Sequence, residues 1–444
     1  SMGAINFDDV EKEHPVFFID RSFHGGAGNN KAMALLGKHL KSQYSERIQK
    51  PVPFPGRIKG QVFDEMYTWI ALELVESFQD VKDIKEKMES DVERYLGQGV
   101  TAVHELEVMS WHELMAYMLF HKEWKEKSRE QAFPVRQIFL DERVLQRLAK
   151  EQDALAKSGL FTDDFRGLLG VKFFADGAIG CETALMNDAY LDHGTGGHAR
   201  NHHGRIVTRV KEAEAAMRQA LRLGLDKVAT HAIGDKAIAR AIEFAQRWKD
   251  MGSKGGIDPK VRLEHFELPT PQSIRDTAGI GAWVSMQANF GVEEQVYGDR
   301  RGERMRLVCP HADMTNEGIP MMLGSDGMPK SMLYVVWSAM HHPDPRQRLD
   351  MISAMTAASA AAGTYEGSGR GVLRKGSQID VVVATPDILA ALENGKPADE
   401  YIANALKPSS ERGAPKIRGH IGALEAGITK VFRQGRIVHD ATKK

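Results

Sequence analysis

Short apolar runs alternate with longer amphipathic runs from about residue 100 to residue 326. TAVHE (101–105), VRQIFL (135–140), VKFFA (171–175), KVATHA (227–232), VRLEHF (261–266), AWVSMQ (282–287) and IPMMLGSD (319–326) have the length and the β-branched and aromatic content of buried strands. Between them, helical spacing predicts helices near 111–128, 143–157, 210–224, 235–249 and 271–277. Strict alternation of strand and helix implies a parallel sheet with right-handed crossovers. The pattern predicts seven strands, where a closed barrel of this kind has eight.

Outside that block the rhythm differs. Ahead of it lie a strand-like PVFFID (15–20), a loop RSFHGGAGNN, a helix near 31–48, a proline-rich loop PVPFPGRIKG, and helices near 62–78 and 81–97. After it come a helix near 345–361, a strand IDVVVA, a polar stretch of low periodicity over 386–425, and two strands about the Gln434-Gly435 turn. The division expected is residues 1–99 as a pre-barrel insertion lining a pocket, 100–362 as the barrel, and 363–444 as a small β appendage.

Three of the predicted strands end on a chemically useful residue: His231 in VATHAIGD, His265 in RLEHFE and Asp326 in MLGSDG. Lys172 holds a similar place in LLGVKFFADG. Polar residues at strand ends on one face of a β/α barrel are where such folds place their chemistry. Neutral imidazoles and carboxylates are ligands for zinc and similar divalent ions. An ammonium has no lone pair, but a lysine that loses its proton can take up carbon dioxide and become a carbamate, with two oxygens to offer. Each residue also has a plain structural reading: a histidine hydrogen-bonded in the core, Lys172 paired with Asp176, Asp326 capping a turn. His104 reads as structural or as support behind the site. The spacing of the set carries more than any member: His231 and His265 are 34 residues apart, about one strand–helix unit, and His265 and Asp326 are 61 apart, about two. His193, His198, His202 and His203 crowd a Gly-rich loop at spacings that match no zinc pattern.

Composition adds exclusions. With 42% hydrophobic and 27% charged residues and a net charge of −1, the chain carries no global field for nucleic acid or an anionic membrane. Two cysteines, Cys181 and Cys309, make no disulfide framework and read as buried thiols. A cytoplasmic location, a small-molecule substrate and neither a nucleic-acid nor a membrane partner are the expectations, with a homodimer left open. Ser1-Met2 reads as a cloning remnant.

VKFFADGAIGCETAL, THAIGD, RLEHFEL and LGSDGMP resemble, in order, motifs of the amidohydrolase superfamily, in the branch (amidohydrolase family 3) that contains N-substituted formamide deformylase. HPVFFIDRSFHGGAGNNKAM, GVTAVHE, GVLRKGSQIDVVVAT and VFRQGRIV are similar to other segments of that branch. The resemblance implies a TIM-like (β/α)8 barrel with a small β-sandwich appendage. It implies a hydrolase of carbon–nitrogen bonds other than peptide bonds. Lys172 would be a carboxylated ligand, and His231 and His265 would be ligands to a divalent metal, zinc, as one or two ions. Asp326 would be the general base toward a metal-bound hydroxide, and His24 and Arg57 would be substrate contacts. The family's first barrel strand ends in His-x-His, which this sequence contains nowhere. The expectation is therefore a truncated chain or one that has lost strand one, with the first metal site short of its main ligands. A catalytically impaired barrel that binds a ligand or partner is the alternative.

Overall fold

The computed structural model describes residues 11–19, 24–34, 61–63, 79–127, 133–191, 201–407, 411–412 and 417–443. Its centre is a seven-stranded parallel sheet: β4 (Val103–Val108), β5 (Val135–Leu140), β6 (Leu169–Phe174), β7 (Lys227–Ala232), β8 (Lys260–His265), β9 (Trp283–Met286) and β10 (Met321–Leu323). The spatial order is β10-β9-β8-β7-β6-β5-β4, so sequence neighbours are also spatial neighbours. This is the order of a β/α barrel wall, curled and open between β4 and β10 among the described residues, and the seven strands are the seven that the apolar runs predict.

Register decides which residues face inward. Lys172 pairs with Ala229, Ala229 with Arg262, and Arg262 with Trp283. One step toward the carboxyl ends, Phe174 pairs with His231, His231 with Glu264, Glu264 with Ser285, and Ser285 with Met322. Residues in register share a face, and alternate residues take the other. The other face carries Val171, Phe173, Val228 and Val261, all packed in one apolar core with the surrounding helices. The hydrophobic strands are thus apolar outward, against helices, and polar inward, which is how they place charged groups in the barrel interior.

The helices follow from their sequences. α1 (Val81–Gly97), α2 (Trp111–Lys127), α3 (Glu142–Lys157), α4 (Val210–Arg222), α5 (Asp235–Lys254) and α6 (Pro271–Ile280) flank the sheet. Asp141 caps α3 through Arg143 N, and Thr270 caps α6 with Pro271 in its first turn. Gly281, left-handed at φ 62°, ends α6. In α5 the buried Ala237, Ile238, Ala241, Phe244, Ala245 and Trp248 fall on one helical stripe.

Several expectations outside the barrel give way. Gly25–Gly28, read from its glycines as loop, is strand β2, between β1 (Phe17–Ile19) and β3 (Gln61–Phe63) in an antiparallel sheet. The glycines serve close approach there: a Cβ on Gly26 would lie 2.6 Å from the Phe18 carbonyl and 2.7 Å from the Phe17 ring. β3 also takes the start of the predicted 62–78 helix, the rest of which lies outside the described residues, as does most of the predicted 31–48 helix. A helix the pattern does not show, α7 (Met332–Met340), follows β10. It is buried nearly all round, so it has no amphipathic period to read. The predicted 345–361 helix is two, α8 (Met351–Ala358) and α9 (Ala360–Glu366), broken at Ser359 where φ is −133°. The polar stretch 386–425 holds α10 (Asp387–Glu393), α11 (Lys396–Ala405) and α12 (Ile417–Ala426), helices of ten residues or fewer that packing stabilises rather than pattern. The last sheet is β11 (Asp380–Ala384), β12 (Ile428–Arg433) and β13 (Arg436–Asp440), the last two joined through Gln434 and Gly435, both at positive φ as a tight hairpin requires.

Trp248 is fully buried between α5 and the sheet, whereas Ile352 on α8 is 79% exposed. Trp248→Ala is expected to destabilise the fold by about 3–5 kcal/mol, and Ile352→Ala to stay within about 0.5 kcal/mol of the parent. Urea denaturation of the two variants checks both.

Candidate active site

The carboxyl ends of β6, β7, β8 and β10 deliver Lys172, His231, His265 and Asp326 to one mouth. His231 and His265 are buried, with ring centroids 4.3 Å apart. His24, at the entry to β2, brings a third imidazole to 4.9 Å from His231 and 6.0 Å from Phe174. Phe290, in the short helix after β9, stacks on His265 at 6.0 Å with the planes 8° apart. The Lys172 ammonium lies 4.6 Å from the centroid of the Phe174 ring, an attractive placement for a cation. Among the described residues it makes no ion pair, and it is buried in the mouth.

Backbone geometry marks the strand ends as built for something other than packing. His265, Phe266 and Asp326 have φ of 68°, 52° and 51°. Left-handed conformations in non-glycine residues cost about 1–3 kcal/mol each and cluster at functional sites. Phe266 N bonds the Ala232 carbonyl at 3.0 Å, and Gly324 N the Met286 carbonyl at 3.0 Å, which pins both turns to the neighbouring strand.

Asp176 fixes the other side of the mouth. Fully buried, its carboxylate accepts from the amides of Leu185 (2.8 Å), Ile233 (3.0 Å) and Gly234 (2.9 Å). It thereby ties the loop after β6 to the turn after β7. The Nε2–H of His231 donates to the Gly177 carbonyl at 3.1 Å, with Asp176 Oδ1 at 3.6 Å. Asp176 is thus held by backbone amides, not reserved for Lys172.

Electrostatics leave both imidazoles neutral. Burial first, then His265, His24 and Lys172, hold the His231 imidazole well below its usual range. Burial, Lys172 and His24 do the same for His265. Asp326 opens onto the water of the mouth but is walled by protein; that desolvation lifts its carboxyl to about 6, with Glu264 and Glu105 adding to the rise and Lys172 and His24 opposing it. Glu107 on β4 is pushed up to about 8 by burial, Lys172 opposing and Asp141, Glu105 and Glu113 adding. Glu267 is forced well above the carboxylate range by burial and by Glu294.

Beneath this layer an ion network crosses the barrel interior. Arg262 pairs with Glu264 on its own strand, with a second contact at 3.1 Å. It also donates to His104 Nδ1 at 2.9 Å, leaving Nε2–H of His104 to donate to Glu366 at 2.8 Å. Glu366 lies 3.5 Å from Arg136 as well. His104 is thereby placed as support, as the sequence suggests. Arg262 and Glu264 alternate within an apolar strand, a readable sign of a polar interior that sequence reasoning passed over. Arg57, His193 and His198 lie outside the described residues. His202 donates to the Glu182 carbonyl at 2.5 Å and stacks on Tyr190, so it holds the loop together. Both cysteines are buried and form no disulfide among the described residues.

The profile of the amidohydrolase family matches residues 6–439. The chain belongs to the amidohydrolase family. Among curated proteins, this amidohydrolase is similar to Protein LONG AFTER FAR-RED 3 of Arabidopsis thaliana, 24% identical over 300 residues, a match covering 65% of this chain and 47% of that protein. It is also similar to Putative amidohydrolase YtcJ of Bacillus subtilis, 28% identical over 158 residues, covering 35% of this chain and 28% of the other. The chain thus spans less than half the length of either curated relative. Two uncharacterized metal-dependent hydrolases share the fold. The one from Pyrococcus furiosus has a TM-score of 0.58 at 24% identity, over 83% of this chain and 71% of that one. The one from Pyrococcus horikoshii OT3 has 0.59 at 22%, over 82% and 70%. No helix among the described residues is long and apolar enough to cross a membrane.

Two stability experiments address the site. Asp176→Ala orphans three buried backbone donors; at roughly 1–3 kcal/mol each, offset by relaxation, it is expected to cost about 3–5 kcal/mol in denaturant titration. Asp326 behaves oppositely. A carboxyl raised from 3.8 to about 6 favours the fold when protonated, and that advantage is lost as pH rises through about 6. Asp326→Asn should therefore raise the melting temperature above pH 6 and give no gain below pH 3.8. An equal gain at both would contradict the assignment.

Proposed function

We propose that this amidohydrolase hydrolyses amide-like carbon–nitrogen bonds, of the N-formyl or N-acyl type, in a small molecule, with a divalent metal held at the mouth by His231, His265 and a carboxylated Lys172. The observation that carries the reading is the meeting of two neutral imidazoles, a buried lysine with no ion pair among the described residues, and a carboxyl lifted to about 6 at neighbouring strand ends. The donor set suits one ion. Both imidazoles have their lone pairs available, and burial keeps them from protonating. Among the described residues no three His, Cys, Asp or Glu side chains stand close enough to share an ion. In this reading Lys172 is the third donor, as its carbamate, since an ammonium has no lone pair. When bound, such an ion supplies Lewis acidity, making hydroxide available near neutral pH and polarising a carbonyl oxygen.

The chain's own residues do the rest. Asp326, ionised above about pH 6, takes the proton from the attacking water and returns it to the leaving nitrogen. His24, half-buried beside His231, faces the place a substrate would fill and contacts it. Phe174 and Phe290 exclude water around the two histidines. Zinc suits the nitrogen and oxygen donors. A barrel that binds a ligand without turning it over is the second reading, favoured by the lack of any set of three standard ligands among the described residues.

The purified chain is expected to bind about one equivalent of zinc and to hydrolyse N-formyl or N-acyl amides only when loaded. His231→Ala with His265→Ala should abolish both. Elemental analysis and amine release read the outcome. Zinc retained by the double variant overturns the ligand assignment, and zinc bound without turnover of any amide favours the binding reading.

A further inference from the structure

His231 and His265 are each backed by a carboxylate, but in different ways. Behind His231 the polar partners are satisfied: Nε2 meets the Gly177 carbonyl, and Asp176 is engaged by backbone amides. Behind His265 they are not. Among the described residues its buried Nδ1 has no hydrogen-bond partner, and the buried carboxyl of Glu267 is hydrogen-bonded to Glu294 rather than to it. Glu267 is fully buried, and its Oε1 lies 3.8 Å from His265 Nδ1. That is too long for a hydrogen bond. A buried imidazole nitrogen without a partner is costly, and a shift of under an ångström would bring it to the carboxyl.

The surroundings restrict what else Glu267 can do. Its backbone carbonyl is held by Cys309 N at 2.9 Å, so its position on the chain is fixed. Phe290 lies parallel to the imidazole with ring centroids 6.0 Å apart. Glu294, from the segment after β9, shares a side-chain hydrogen bond with Glu267, and neither Lys172 nor His24 is among the groups that perturb it most.

We infer that Glu267 is a positioning residue for His265: its carboxyl accepts Nδ1–H, fixes that tautomer, and leaves the Nε2 lone pair directed into the mouth. Such a partner behind a ligating imidazole sets ring orientation and raises basicity. The two histidines then present opposite nitrogens, His231 through Nδ1 because Nε2 is engaged at Gly177, and His265 through Nε2. Two strand-end imidazoles whose centroids are 4.3 Å apart can in this way aim at one point between them. The value of the inference for ligation rests on His265 being a metal ligand. The tautomer itself does not.

The test uses the full chain with Glu267→Gln and Glu267→Leu. Long-range proton–nitrogen NMR of the metal-free protein, with the His265 signals assigned by their loss in His265→Gln, is expected to show the Nδ1–H form in the parent and in Glu267→Gln. It is expected to show the Nε2–H form or a mixture in Glu267→Leu. Zinc affinity by chelator competition is expected to fall about 10–100-fold in Glu267→Leu and to be largely kept in Glu267→Gln, whose amide carbonyl accepts the same bond. An unchanged tautomer in Glu267→Leu overturns the inference, as does equal zinc affinity in all three proteins, which would leave the metal reading standing. A tautomer that switches in a chain that binds no zinc sinks the metal reading and leaves the positioning role intact.

Discussion

The site depends on one buried carboxylate. Asp176 gathers three backbone amides from two separate loops, and without it neither the turn after β7 nor the loop after β6 has a reason to stay beside His231. The amides stabilise the charge, so the carboxylate can sit fully buried. That leaves Lys172 free of the obvious ion pair. Lys172 faces the neutral imidazoles of the mouth instead, near enough to Glu107 and Asp326 to oppose their upward shifts.

Below this layer the barrel interior is charged where its outer face is apolar. The Arg262–Glu264 pair and the His104–Glu366 contact fill the space that aliphatic side chains fill in an ordinary barrel. A buried ion network contributes less to stability than hydrophobic packing of the same volume. What it does here is hold β4, β8 and α9 at fixed separations beneath the site, since Arg262, His104 and Glu366 come from those three elements. The strained turns at His265 and Asp326 rest on that floor, and the aromatic walls of Phe174 and Phe290 stand on either side.

Much of this was legible in the sequence, for a physical reason. Parallel strands covered by helices read as short apolar runs, so β4 to β10 announce themselves, and a histidine or aspartate at the end of such a run is conspicuous. The supporting groups were not legible, because loops and register bring them in. Asp176 looks like a turn residue, Glu267 like one more acidic residue in RLEHFE, and Phe290 lies 25 residues from the His265 it stacks on. β2 was hidden by glycines that serve close packing against Phe17. α7 was hidden by being buried nearly all round. Family membership could be read from ordered motifs, while the orientation of each imidazole could only be seen in three dimensions.

The central claim is that the ends of β6, β7 and β8 share one divalent ion. X-ray absorption at the zinc edge of the loaded chain tests it most directly. The account predicts two imidazole shells, recognised by their multiple scattering, with nitrogen at about 2.0–2.1 Å and the remaining ligands oxygen at about 2.0–2.2 Å. One imidazole of the two should disappear in His231→Ala and one in His265→Ala. A spectrum without imidazole scattering, or one unchanged in both variants, would contradict it.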